Sequence, residues 1–181
     1  MKAYVTSIGE KTEAICCEQL RKFGFEIVLL NEKEPWIEKY KKFLNLAYFN
    51  SQDCIRVDAD IIVNQNILAL KHGCNGSLMG QAQVYDFYQN DLHTGGPIFY
   101  SKDVIKMILD NFHKLDEFRP ETSAWRLPDV NPKTITLKWT VVGLHGFFQD
   151  EDAVARSEKN KIDRKQISKY DFDLARALNN L

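Results

Sequence analysis

The chain has 181 residues, 44% of them apolar and 27% charged, with a formal net charge of -1. That length suits one domain with a sizeable core, and the composition excludes a disordered or fibrous chain. Without a basic excess the usual electrostatic footprint of a nucleic-acid binder is missing, so no nucleic-acid partner is expected. The four cysteines, Cys16, Cys17, Cys54 and Cys74, form no C-x-x-C pair and read as reduced structural thiols. Met1 to Ile8 has only Lys2 ahead of a short apolar stretch, unlike a signal peptide. No run approaches the ~20 apolar residues of a membrane span, and a cytoplasmic location is the expectation.

From the N-terminus, Ala3 to Ile8 predicts a strand, and Cys16, Leu20 and Phe23 share one face of a helix that Gly24 stops. Phe25 to Leu30 reads as a strand covered on both faces. Pro35 opens a second helix with Ile37, Tyr40, Leu44 and Tyr48 on its apolar side and Lys39, Lys41 and Lys42 largely off it. Cys54 to Val57 completes a β-α-β-α-β opening, which implies parallel strands with right-handed crossovers.

Past that point the alternation loosens. Asn66 to His72 predicts a short helix, Ser77 to Val84 a strand, and Ser101 the cap of a helix carrying Val104, Ile105, Ile108 and Phe112. Phe118 to Lys133, with three prolines, reads as a long loop. Ile135, Leu137, Trp139 and Val141 alternate with polar residues, as in a half-exposed antiparallel strand. Asp150 to Gln166 reads as a solvated connection to a last helix bearing Leu174, Leu178 and Leu181. The expected division is therefore a main domain over 1–150, then a polar linker and C-terminal helix over 151–181, packed on that domain or on a partner.

The most telling run is Cys54 to Val63, C-I-R-V-D-A-D-I-I-V, in which two carboxylates follow a buried strand. Alternate residues of an extended segment point the same way, so Asp58 and Asp60 converge just beyond the strand's carboxyl end, where open α/β sheets gather ligands. Carboxylates among apolar residues are costly to desolvate without a cation or hydrogen bonds, and a hard divalent cation meets that need. An isolated D-x-D is equally compatible with one capping Asp and one solvated Asp.

Taken in chain order, the β-α-β-α-β half, V-D-A-D-I-I-V, His93-Thr94-Gly95-Gly96-Pro97-Ile98-Phe99-Tyr100, an acidic loop and Gly143-Leu144-His145-Gly146-Phe147 resemble a GT-A fold nucleotide-sugar glycosyltransferase, family-2-like or glycogenin-like. The resemblance spans about Met1 to Phe148 and implies a Rossmann-like mixed sheet, mostly parallel with a late antiparallel strand. It implies a metal-dependent enzyme that moves a sugar from a UDP- or GDP-sugar to an acceptor hydroxyl, inverting if the acceptor attacks directly. Asp58, Ala59 and Asp60 would meet the donor, with Asp58 and Asp60 holding manganese or magnesium and His145 completing the metal site. Gly95 and Gly96 would let the backbone approach the sugar. Thr6, Ser7 and Gly9 after the first strand, and Asn31 or Glu32 after the second, would contact the nucleotide, approached also by Lys41, Lys42 and Asn45. Glu121 would be the general base, although this loop has one carboxylate where the family often has Glu-Asp, which leaves Asp129 as the fallback. A sugar-phosphate nucleotidyltransferase shares the sheet, but Ser7-Ile8-Gly9-Glu10-Lys11 is poor in the glycine a triphosphate loop needs. A non-catalytic nucleotide-sugar-binding module is the remaining alternative. Donor base, sugar, acceptor and oligomeric state lie beyond what these residues specify.

Overall fold

The structure, a computed structural model, describes residues 1–74 and 76–180. Strand β1 (Lys2–Thr6) is followed by helix α1 (Glu13–Lys22), β2 (Glu26–Leu30), α2 (Trp36–Asn50) and β3 (Cys54–Asp58), the expected opening. β1 lies between β2 and β3 and is parallel to both. Ala3, Val5, Ile55 and Val57 join Cys16 and Leu20 of α1 in one core, while Tyr4 and Cys54 join Tyr40, Phe43 and Leu44 of α2 in another. The two-residue period of the strands decides which helix each side chain meets. α2 is seated by buried Tyr40, Phe43, Leu44 and Ala47, spaced i, i+3, i+4 and i+7. Burial of each large side chain contributes roughly 1.5–3 kcal/mol.

The chain continues through β4 (Ile61–Val63), α3 (Leu68–Gly73), β5 (Met79–Asp86), β6 (Asp91–Tyr100), α4 (Lys102–Asp110), α5 (Pro120–Trp125), β7 (Thr134–His145), α6 (Glu151–Asp163) and α7 (Phe172–Asn179). Seven strands form one sheet in the order β2-β1-β3-β6-β5-β7-β4. β5 and β7 are parallel, whereas the β3–β6, β5–β6 and β4–β7 pairs are antiparallel. The sheet is therefore evenly mixed, not mostly parallel. The cause is a hairpin: β5 and β6 are joined by a tight turn over 87–90, which forces them antiparallel and places β6 against β3.

Other expectations are also corrected. β2 is an edge strand with Glu26 and Leu29 exposed, not one covered on both faces. Tyr48 is exposed and Lys39 is buried, so the apolar stripe of α2 is rotated from the expected one. Within the supposed loop, Pro120 opens α5, where its missing N–H is no loss. β7 does not alternate smoothly, because its pairing with β5 jumps from Gln81↔Thr136 to Gln83↔Val141. The extra residues bulge outward and leave Trp139 at φ 65° and 87% exposed.

The supposed polar linker is α6, capped by the Asp150 side chain accepting from Ala153 N at 2.8 Å. α7 packs on its own chain: Phe172 and Ala175 bury against Tyr88 and Val154, and Asp171 N donates to Tyr88 O at 2.9 Å. Leu174 and Leu178 are half-buried, and Leu181 of the expected stripe lies outside the described residues. Among the described residues no helix is long and apolar enough to cross a membrane.

Candidate active site at the carboxyl ends of the first and third strands

A cavity of about 660 Å³ opens where β1 and β3 end, walled by β6, α5 and α6. Thr6, Ser7, Asp58, Asp60, Gly95, Gly96, Glu121 and His145 all line it, although they are spread along the chain. Gly9, Asn31, Lys42, Asn45, Ala59 and Asp129 are not among its lining residues. Asn31, Asn45 and Asp129 are exposed, and Lys42 is ion-paired with Glu32. Ala59 is buried and locks the strand end, its N–H donating to Thr6 O at 2.9 Å and its carbonyl accepting from Thr12 Oγ1 at 2.8 Å.

The two aspartates reach the cavity in different ways. Asp58 is the last residue of β3, and Asp60 lies in the turn that follows, so the strand's alternation does not extend through the pair. Alternation instead puts Arg56 and Asp58 on one face. Arg56 Nη1 donates to Asp58 Oδ1 at 2.5 Å and to Thr6 Oγ1 at 3.2 Å, and Thr6 Oγ1 donates to Asp58 Oδ1 at 2.7 Å. Burial disfavours the guanidinium's charge, but Asp58 together with Tyr100, Glu121 and Tyr40 outweighs it and holds the Arg56 pKa above its usual range.

Asp60 belongs to a second charge cluster. Its Oδ2 is 3.1 Å from His145 Nε2, and His145 Nδ1 is 3.2 Å from Asp86 Oδ2, outside hydrogen-bond alignment but close enough for charge attraction. Burial opposes the imidazolium, yet the Asp60 and Asp86 carboxylates raise its pKa well above the ordinary histidine value. Asp86 is held below the usual carboxylate range: burial pushes it up, and His145, with Gln89 and the Tyr88 N–H, pulls it further down. β4 and β7 assemble this cluster through the Ile61↔His145 pairing.

Glu121 reaches the cavity from α5, and the Trp36 indole N–H donates to its Oε2 at 2.9 Å. The face of the same indole receives the Arg56 guanidinium, 5.0 Å from the ring centroid. Gly95 and Gly96 lie within β6 rather than in a turn, where the strand bulges between its pairings Gln81↔Ile98 and Gln83↔Thr94. At Gly96 (φ 80°) an added Cβ would fall 2.6 Å from Ile61 Cδ1, so the glycine makes room for a neighbouring side chain.

Among the described residues, no group of three or more His, Cys, Asp and Glu side chains is arranged to hold a metal ion. Asp60 Oδ1 is nevertheless buried without a hydrogen-bond partner, and both bonds to Asp58 fall on its Oδ1 alone. Magnesium-type sites commonly take one or two carboxylates and complete their shell with water and substrate phosphate, and this donor set fits that pattern. His145, with a carboxylate at each nitrogen, is placed to orient Asp60.

Several lining residues escaped sequence reasoning. Lys39 is 1% exposed on α2, and its Nζ donates to Ser7 O. Lys161 of α6 and Arg164, the residue that ends it, line the cavity, so the chain beyond residue 150 forms part of the wall, and Arg119 Nη2 ties that side down through Gln166 Oε1 at 2.5 Å. Arg56 had a legible signal, a lone cation in an apolar strand two residues before Asp58. Lys39 had none, nor did Asp86, which meets His145 without lining the cavity.

No protein-family model matches this sequence, and no curated protein matches it. Solved structures do resemble it. The 4-diphosphocytidyl-2C-methyl-D-erythritol synthase of Anaerococcus prevotii superposes with a TM-score of 0.59 at 8% identity, covering 87% of this chain and 94% of that one. A glycosyltransferase involved in the glycosylation of the major capsid of PBCV-1 gives 0.54 at 12% identity, covering 91% and 100%. The bifunctional IspDF of Campylobacter jejuni gives 0.54 at 15% identity, covering 78% and 52%. At these identities the likeness is one of fold: a mixed α/β architecture of the nucleotide-diphospho-sugar transferase kind, GT-A-like, with no particular family shown.

Proposed function

We propose that the chain is a transferase that moves a sugar from a nucleoside diphosphate sugar, with uracil or guanine as the base, to an acceptor hydroxyl. The observation that carries this reading is the placement of Asp58 and Asp60 in one cavity with Glu121, at the carboxyl ends of β1 and β3, where open α/β sheets gather ligands. Thr6 and Ser7 line the donor side beside the end of β1. Glu121 accepts the proton of the acceptor hydroxyl, whose oxygen attacks the anomeric carbon as the bond to the diphosphate breaks. Direct attack inverts the anomeric configuration. Trp36 fixes Oε2 of Glu121 and thereby aims the other oxygen. A divalent cation, manganese or magnesium, held by Asp58 and Asp60 would supply charge neutralisation for the departing diphosphate. His145 keeps Asp60 oriented from behind.

The nucleotidyltransferase alternative fits less well. A triphosphate loop needs free backbone N–H groups, but Ile8 N donates to Glu10 Oε2 at 2.7 Å and Gly9 N to Ser7 Oγ at 3.0 Å. Incubating the protein with manganese and a panel of nucleotide sugars, and measuring nucleoside diphosphate release with and without acceptor alcohols, tests the proposal. Release from no donor, alongside pyrophosphate release from a nucleoside triphosphate and a sugar phosphate, would transfer the assignment to the alternative. Nucleotide-sugar binding with neither release would make the chain a non-catalytic module.

A further inference from the structure

Lys39 lies in the sheet-facing side of α2 with 1% of its surface exposed, yet no carboxylate lies within ion-pair distance of it among the described residues. Its one hydrogen bond goes to the carbonyl oxygen of Ser7, which leaves two of the ammonium's three donors unused. A buried ammonium with no direct ion pair is costly, and a fold retains one where something else compensates it. Lys39 lines the cavity.

Arg56, also 1% exposed, lines the same floor from β3. Its Nη1 is committed to Asp58 and Thr6 and its face to Trp36, but its Nε is buried with no hydrogen-bond partner. The charged lining as a whole is net cationic. Lys39, Arg56, Arg119, Arg126, Lys161 and Arg164 face the cavity against four carboxylates, although the chain as a whole carries -1.

We infer that Lys39 and Arg56 form the floor of an anion subsite that takes a phosphoryl group, with Lys161 of α6 and Arg164 at its C-terminal end contributing from the α6 wall. The inference rests on the proposed use of the cavity for a nucleoside diphosphate, and it assigns the phosphate contacts to the chain's own cations. Cations from both walls bind the diphosphate directly, by charge-assisted hydrogen bonds, in addition to any divalent ion at Asp58 and Asp60. Ser7 O positions the ammonium, and Asp58 holds the guanidinium.

Isothermal titration of the full chain with inorganic pyrophosphate, with a nucleoside diphosphate and with the phosphate-free nucleoside, in chelator, tests this. Pyrophosphate and the nucleoside diphosphate should bind and the nucleoside bind far more weakly. Lys39→Met should weaken pyrophosphate about 10- to 100-fold, as for loss of a charge-assisted hydrogen bond, while its melting temperature stays level or rises because an unpaired buried charge is gone. Lys39→Arg should recover part of the affinity. Unchanged pyrophosphate affinity in Lys39→Met, a collapsed fold in that variant, or no pyrophosphate binding by the parent would each overturn the subsite. The two readings fail separately. Pyrophosphate binding without sugar release from any donor keeps the subsite and removes sugar transfer, whereas parental sugar transfer by Lys39→Met removes the subsite alone.

Discussion

Arg56 and Asp58, two residues apart on one face of β3, form an ion pair of 2.5 Å with unequal partners: the guanidinium side chain is 2% exposed and the carboxylate 36%. The asymmetry decides what each contributes. Asp58 without Arg56 is still hydrated on one side, while Arg56 without Asp58 is a cation shut in the sheet. Asp58→Asn should therefore destabilise the fold more than Arg56→Met, by roughly 2–4 kcal/mol against about half that. The double variant should recover much of the loss. Urea melts of the parent, both single variants and the pair measure the coupling; equal single effects that simply add would remove the pair as a unit.

Asp60 joins two roles. Under the proposed function it would hold the cation that transfer needs, and as the partner of His145 it contributes to the fold. Asp60→Asn should abolish nucleoside diphosphate release and lower stability by roughly 1–3 kcal/mol, the cost of losing a charge-assisted bond at a half-buried site. His145→Ala leaves Asp60 and Asp86 facing each other without the imidazolium, and its melting temperature should fall, with manganese restoring part of it. A manganese response identical in variant and parent would separate His145 from the cation.

Glu121→Gln keeps an oxygen for the Trp36 indole N–H but removes the proposed base. Turnover should fall ~10²- to 10⁴-fold with donor affinity unchanged, and the parent's product should carry the inverted anomeric configuration. Trp36→Phe loses the hydrogen bond that aims Glu121 and shrinks the ring under Arg56 but keeps the carboxylate, so its turnover should fall by less. Near-parental turnover in Glu121→Gln, or a retained product, would remove Glu121 as base.

Gly96→Ala places a methyl 2.6 Å from Ile61 Cδ1 at φ 80°. Left-handed strain and overpacking together predict a loss of roughly 1–3 kcal/mol. The chemical denaturation midpoint of the purified variant reports it. Gly9→Ala is the control for backbone strain alone, since nothing lies within 4 Å of its added Cβ.

Local pattern made the first half readable. The β-α-β-α-β opening follows from strand-length apolar runs, helical spacing and glycine stops, each a property of a few neighbouring residues. The aspartates were legible for the same reason, as charges closing an apolar strand. The second half was less so. Charged, weakly apolar 151–166 reads as a linker because α6 buries only Val154 fully, and most of its helix is solvated. Trp139 reads as core in an alternating strand, yet a register jump against β5 expels it.

By itself, the sequence determined which segments are strands and helices near the N-terminus, where β3 ends, and that two carboxylates stand at that end. Those are short-range consequences of side-chain period and backbone preference. Tertiary structure alone decided the company those carboxylates keep. Arg56 reaches Asp58 through strand alternation, but Asp86 and His145 meet Asp60 only because β5 and β7 pair in parallel and β7 then pairs with β4. Lys39 enters the cavity only because α2 is rotated so that Tyr40, Phe43 and Leu44 fill the core beside it. Burial and charge pairing are sums over contacts distant in the chain, so residue type and local spacing do not encode them.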